Sequence, residues 1–344
     1  MRAFAKGIAH DVGGAGEGFV LPDGVRGGMT DLPTLSGAPL PGRLHRLAKA
    51  MLGYDLVLTY GYDAINAVMA HTAFSQAYPL PRLIHHEGEG PEAERRTRRA
   101  DWYRRIALGR AAGLVVPHEE LERRALEDWQ QPLGRVKHIG SAVDPSAFAR
   151  TPPRDGLPRL IKRRGEKWVG TTGPLEEAMR LPLILRIVSE LPENWHLVVW
   201  GQGEAAGTLA REAESFGMQH RLHLLSRPVP PASVMGLFDI VASAALDRTE
   251  PAAPLAAMAA GVPIAAIGAS RLPENYPEKA REFVSGDSES DLEEAVGTLA
   301  SDAPLREEVG EALRRHARTA FDEAAMIAKF RLLYSSAMGR PDLP

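Results

Sequence analysis

Several stretches of this chain carry residue types able to do chemistry. In E-P-A-A-P-L-A-A-M-A-A-G-V-P, a carboxylate, Glu250, stands just before a short helix of small side chains. The strand-like run F-D-I-V-A-S-A-A-L precedes it, and another strand follows a stop at Gly261. Glu250 is therefore expected at the carboxyl end of a strand and the amino end of a helix, where open α/β sheets bind ligands. The N–H groups of such an end attract anions, and a carboxylate accepts hydrogen bonds from hydroxyls. Glu250 with Pro251 and Ala252 would suit a ligand carrying both phosphate and sugar hydroxyls. A carboxylate that only balances the helix dipole would look the same.

Three further stretches raise similar questions. G-Q-G-E-A-A-G, with Gly201, Gly203 and Glu204, follows a strand and opens a helix, the context of a dinucleotide loop. Its missing side chains let a ligand approach the backbone; taken alone it would suit a nucleotide-dependent oxidoreductase. His85-His86-Glu87 closes a strand and could suggest a metal site. Neighbours on an extended chain point to opposite faces, so no metal is expected there. Seven arginines fall between Arg95 and Arg110. Arg95, Arg98, Arg99 and Arg105, beside Trp102, Tyr103 and Ile106, would suit an anionic membrane or acceptor surface. A solvated helix face would carry the same composition.

The elements that must hold these residues alternate. From Leu44, R-L-H-R-L-A-K-A-M-L has helical spacing and Y-D-L-V-L-T-Y reads as a buried strand. Then come a helix over 63–77, the strand P-R-L-I-H-H, a long helix over 92–112, the strand G-L-V-V-P, a helix over 119–129 and the strand R-V-K-H-I-G. Such alternation means a parallel sheet with crossover helices. The stretch 149–166, rich in proline, glycine and charge, breaks the rhythm and is the expected linker. Beyond it K-W-V-G-T-T-G, W-H-L-V-V-W, R-L-H-L-L, F-D-I-V-A-S and I-A-A-I-G alternate with helices, and a last helix runs from 323 to 334. The expectation is an α/β protein of two Rossmann-like domains facing across a cleft. Residues 1–148 would form the first domain, 167–322 the second, and 323–344 a last helix.

Composition sets outer bounds. The chain has 344 residues, 44% of them hydrophobic and 25% charged, as in an ordinary globular protein. No apolar run is long enough to span a membrane. The absence of cysteine excludes disulfides and thiolate metal sites and suits a reducing compartment. Cytoplasm is the expected location, the basic segment offering a peripheral seat at the inner face of the cell membrane. Net charge is +2 over residues 1–150 and −5 over the rest, which argues against a nucleic-acid partner.

The order of features carries more than any one of them. V-K-H-I-G-S-A-V-D-P-S-A-F precedes the linker, G-Q-G-E follows it, then F-D-I-V-A-S, an acid, and A-M-A-A-G-V-P. In this order the chain resembles the family 4 glycosyltransferases of the GT-B fold, from about Leu44 to Tyr334. The resemblance implies transfer of a sugar from a nucleotide-sugar, with retention, to a glycan or lipid-linked acceptor, without a metal or other cofactor. It implies that the acceptor lies against residues 1–148 and the donor against 167–322, that the helix in 323–344 returns to the first domain, and that Glu250 sits near the donor sugar and His86 near the reacting centre. It places Gly201, Gly203 and Glu204 at the nucleotide, the helix from Pro251 at the diphosphate, and makes Gly13 and Gly14 the remnant of a glycine loop. Where the family has a diphosphate-clamping Arg and Lys, this chain has Glu176 and Met179, with Arg180 one residue away. Its second glutamate is replaced by Ala256, and the asparagine and glycine of its P-N-G by Ser141 and Ala142. These departures imply an alternative: a catalytically impaired relative that binds donor or partners an active glycosyltransferase.

Overall fold

The computed structural model describes residues 10–12, 25–27, 34–35, 37–88, 97–157, 159–173, 175, 179–201, 203–225, 229–246, 252–268 and 275–340. They form two compact units, one of residues 1–140 with 325–344 and the other of 141–324. The chain thus changes unit at Gly140, ahead of the stretch 149–166. That stretch packs on the second unit through buried Leu157 and through Lys162, whose ammonium donates to Asp239 and to the Leu237 carbonyl, each at 2.6 Å.

In the first unit β1 (His10–Val12) pairs in parallel with β2 (Val25–Gly27) as a separate ribbon. There follow α1 (Pro41–Ala50), β3 (Leu56–Tyr60), α2 (Ile65–Phe74), β4 (Arg82–His86), α3 (Arg98–Ala107), β5 (Gly113–Val116), α4 (Glu119–Glu127) and β6 (Val136–His138). The sheet order is β3-β4-β5-β6, all parallel. Because every step moves in one direction and such crossovers are right-handed, α2, α3 and α4 must share one face. That face holds Leu83, Leu114, Val116, Val68, Leu121 and Trp129 in one core.

Among the described residues, the opposite face is covered by a helix from elsewhere in the chain. That helix is Glu323–Met338, α12 in chain order. Ile84, Val115 and Ile139 pack there against Met326, Phe330, Leu333, Tyr334 and Ala337. Strand alternation does the sorting: Leu83 faces the crossover helices and Ile84 faces α12.

The second unit runs β7 (Lys167–Thr172), α5 (Leu181–Ser189), β8 (Trp195–Trp200), α6 (Ala206–Ser215), β9 (Leu222–Leu225), α7 (Pro231–Val234), β10 (Ile240–Ser243), α8 (Ala252–Ala260), β11 (Ile264–Ala266), α9 (Glu278–Arg281), α10 (Glu289–Ser301) and α11 (Ala303–Ala320). Its five parallel strands are ordered β11-β10-β7-β8-β9 around one core. In order of appearance this is 5-4-1-2-3, the doubly wound arrangement. The direction of winding reverses between β7 and β10, the switch point at whose carboxyl edge such sheets take ligands.

Local sequence explains the boundaries. The Gly261 stop of α8 is a left-handed cap at φ 71°, with Val262 N–H donating to Ala257 O and Gly261 N–H to Met258 O. The helix expected over 92–112 is shorter among the described residues. Thr97 caps its start by accepting from Ala100 N–H, and a 3-10 turn over Leu108–Arg110 ends it. α10 begins at a capping box of Ser288 and Asp291.

Candidate functional site

At the switch point of the second unit, β7 ends in Thr172 and Gly173 follows with φ 133°. Gly173 N–H donates to Trp200 O and Gly201 N–H to Leu225 O, extending the ladder past the strand ends. A Cβ on Gly201 would lie 1.9 Å from Gly173 O, and one on Gly203 would lie 2.4 Å from Leu175 O. Main chain crosses main chain here, and only glycine fits. Gly201 and Gly203 thus have a packing reason to lack side chains, besides the ligand approach expected of them. Glu204 is exposed beside them, and Ala205 N–H donates to Leu175 O.

Arg180 precedes α5 in the left-handed region, at φ 50° and ψ 38°. Its guanidinium, half-exposed, pairs with Glu289 of α10. Glu289 also takes Arg186 at 3.4 Å, and Arg186 reaches Glu293 at 2.5 Å. Nothing in the sequence spacing announces Glu289 as a partner of Arg180, 109 residues away.

β10 passes through buried Ala244–Leu246 before α8, whose first residue, Ala252, is exposed. Pro254 sits in the first turn, where its missing N–H costs no helical bond. From Leu255 to Ala260 every residue of α8 is buried, Ala256 included. Glu250 and Pro251 lie outside the described residues, as do Gly13, Gly14, Arg95 and Glu176.

In the first unit, His85 and His86 diverge as their strand requires. His86, on the α12 face, has Nδ1 3.2 Å from Thr59 O and Nε2 2.8 Å from the Tyr334 hydroxyl. A carbonyl can only accept, so Nδ1 carries the proton and Nε2 accepts from Tyr334. Tyr60 stacks on the ring at 4.4 Å between centroids, and Phe330 closes another side. Burial pushes His86 down to about 4, helped by neighbouring His85, so the imidazole is neutral at pH 7. Tyr60, Phe330 and Tyr334 were not anticipated around His86. The signal available was only that aromatic residues end β3 and line α12.

His85 turns to the other face. Its Nδ1 lies 2.9 Å from Thr59 Oγ1 and its Nε2 3.5 Å from Glu87, which is bound by Arg104 at 3.0 and 3.2 Å. Burial alone would raise Glu87; His85 and Arg104 outweigh it and hold the carboxyl at about 2. Arg104 is wholly buried, its guanidinium over the rings of Tyr62 and Trp129 at 4.4 and 5.0 Å. The two histidines therefore do not converge on one point. Among the described residues no group of three or more His, Asp or Glu is arranged to hold a metal ion.

α3 divides the arginine-rich segment by side. Arg98, Arg99, Trp102, Arg105 and Ile106 are exposed, Trp102 by 60%. Tyr103 is not part of that face: its hydroxyl donates to Asn66 at 2.7 Å and its ring joins the crossover-helix core. No helix among the described residues is long and apolar enough to cross a membrane.

Residues 166–302 match the family described as Glycosyl transferases group 1. A D-inositol 3-phosphate glycosyltransferase of Corynebacterium glutamicum (strain R) is 23% identical over 345 residues, covering 91% of this chain and 79% of that one. HepE of Anabaena, solved in complex with UDP, superposes with a TM-score of 0.69 at 15% identity, over 86% of this chain and 82% of that one. WaaG, a glycosyltransferase involved in lipopolysaccharide biosynthesis, gives 0.51 at 15% identity, over 82% of this chain and 93% of that one. Parallel sheets in two Rossmann-like units, together with these likenesses, make the fold GT-B.

Proposed function

We propose that this chain, whose fold is GT-B, is a glycosyltransferase that transfers a sugar, with retention, from a nucleotide-sugar to a glycan or lipid-linked acceptor, as a family 4 enzyme would. The observation that carries this reading is the switch point of the second unit, built from bare main chain with Arg180 beside it. The HepE neighbour is known with UDP and with UDP-glucose, which supports a uridine diphosphate donor as the first to try. Donor diphosphate would lie against the first-turn N–H groups of α8, with Arg180 neutralising charge as the anomeric C–O bond breaks. Glu250 would accept hydrogen bonds from the donor sugar. The acceptor hydroxyl would attack on the leaving-group side and give its proton to the departing phosphate oxygen. No metal or other cofactor enters this scheme.

His86 takes part under a condition set by its contacts: Tyr334 must release Nε2 before a sugar hydroxyl can use it. The exposed face of α3 would seat the acceptor's anionic carrier or an anionic membrane. That would place the protein in the cytoplasm, peripheral at the inner face.

The test is calorimetric titration with UDP and UDP-sugars, followed by donor turnover of the wild type and E250A. Saturable binding with turnover abolished in E250A is the expected result; absence of binding to any nucleoside diphosphate rejects it. A second reading, a donor-binding but inactive relative that partners another transferase, is favoured by buried Ala256, which leaves α8 no carboxylate for a ribose. Binding without turnover on any acceptor would select it. For α3, flotation with vesicles containing phosphatidylglycerol should be lost in R98E/R99E/R105E, each exposed arginine contributing about 1 kcal/mol. Flotation indifferent to the three reversals removes the membrane surface.

A further inference from the structure

Arg180, at the switch point, is already occupied by an acid of its own chain. Arg180 holds Glu289, and Glu289 has a second partner in Arg186. Arg186 in turn has Glu293, and at 3.9 Å Glu190. All of these side chains are between about one third and two thirds exposed. In water such pairs are individually weak and exchange readily.

The arrangement is asymmetric in a useful way. If Arg180 lets go of Glu289, the carboxylate keeps Arg186 and stays paired. Arg180 itself is held close to the glycine crossing. Its neighbour Met179 is buried, with its methyl 2.9 Å from where a Cβ on Gly173 would be. The left-handed backbone at Arg180 is strained for a residue other than glycine, and such strain gathers at ligand clamps.

We infer that Glu289 is a built-in competitor for the donor phosphate: its carboxylate occupies Arg180 in the empty protein, and binding of a nucleoside diphosphate exchanges it onto Arg186. This rests on the donor reading above and adds to it an acid that sets donor affinity from outside the ligand's own contacts. It makes a prediction of opposite signs for two residues that the phosphate need not touch. Removing the acid frees Arg180 and tightens binding. Removing Arg186 leaves Glu289 with Arg180 alone and weakens binding.

The experiment is calorimetric titration of UDP into the wild type, E289Q, R186Q, R180Q and R180Q/E289Q at low and high salt, each checked for an unchanged melting temperature. E289Q is expected to bind UDP two- to fivefold more tightly at low salt, the scale of an exposed ion pair, with the gain fading at high salt. R186Q is expected to bind more weakly by a similar factor, and E289Q should add nothing in the R180Q background. Wild-type binding with no gain in E289Q, or a gain that survives R180Q, overturns the competitor while leaving the donor reading intact. No UDP binding by any variant, E289Q included, overturns both.

Discussion

Glu87 and Arg104 are a charge pair sealed from water, 0–1% exposed at both side chains. Removing one charge of such a pair leaves the other buried without compensation, at a cost of about 3–5 kcal/mol. E87Q should destabilise the protein by that amount in urea denaturation at pH 7. Acid should act through two windows of the same sign. Glu87, held at about 2 against an ordinary 4.5, stabilises above pH 4.5 and loses that contribution as pH falls toward 2. His86, lowered to about 4 from 6.5, is protonated first in the unfolded chain, so stability falls as pH drops from 6.5 to 4. Urea midpoints measured from pH 7 to 3 should show both slopes. E87Q should flatten the lower window and H86F the upper. At this scale the sequence was partly readable. The H-H-E run told that adjacent side chains diverge, and the carboxylate's partner lay unmarked among seven arginines. Nothing in local spacing separates buried Arg104 from exposed Arg105, because burial of one arginine depends on Glu87 arriving from the end of β4.

Helices α8 and α11 cross where glycine meets glycine. A Cβ at Gly310 would stand 2.2 Å from the Gly261 carbonyl, and Arg314 of α11 caps α8 by donating to Ala260 O at 2.7 Å. G310A should therefore cost about 1–3 kcal/mol, read as a lowered melting temperature. Asp239, just before β10, ties three elements together by accepting from Lys162, Lys167 and the Trp168 N–H. D239A should strand Lys162 in a half-buried place and destabilise the second unit by about 2–4 kcal/mol, whereas D239N should lose less because it can still accept from Trp168. Strands were legible as elements because their apolar runs are short and bounded by Gly, Pro or charge. Helix lengths were less so: the arginine-rich pattern continues past Ala107 while the backbone turns 3-10 at Leu108. The left-handed Arg180 could not be read from its residue type, since arginine carries no preference for that conformation.

Across the whole chain, ligand and truncation should act on different parts. UDP at a hundredfold its dissociation constant should stabilise the folded protein by about 2.7 kcal/mol. Amide exchange should show that protection at β7, β8 and α5 of the second unit. Deleting residues 325–344 should instead uncover Ile84, Val115 and Ile139, giving increased dye binding and faster exchange in β4 and β5. Alternation of strands and helices revealed two α/β units; strand order did not follow from it, because periodicity says nothing of which edge a new strand joins. The helix that covers the first sheet is made only after the whole second unit. Residues 141–324 leave the ribosome between the first unit's strands and α12. At 5–20 residues per second Ile84, Val115 and Ile139 wait roughly 10–40 s for the helix that packs on them. Over that interval the newborn chain is a natural client for chaperones that shield hydrophobic surface.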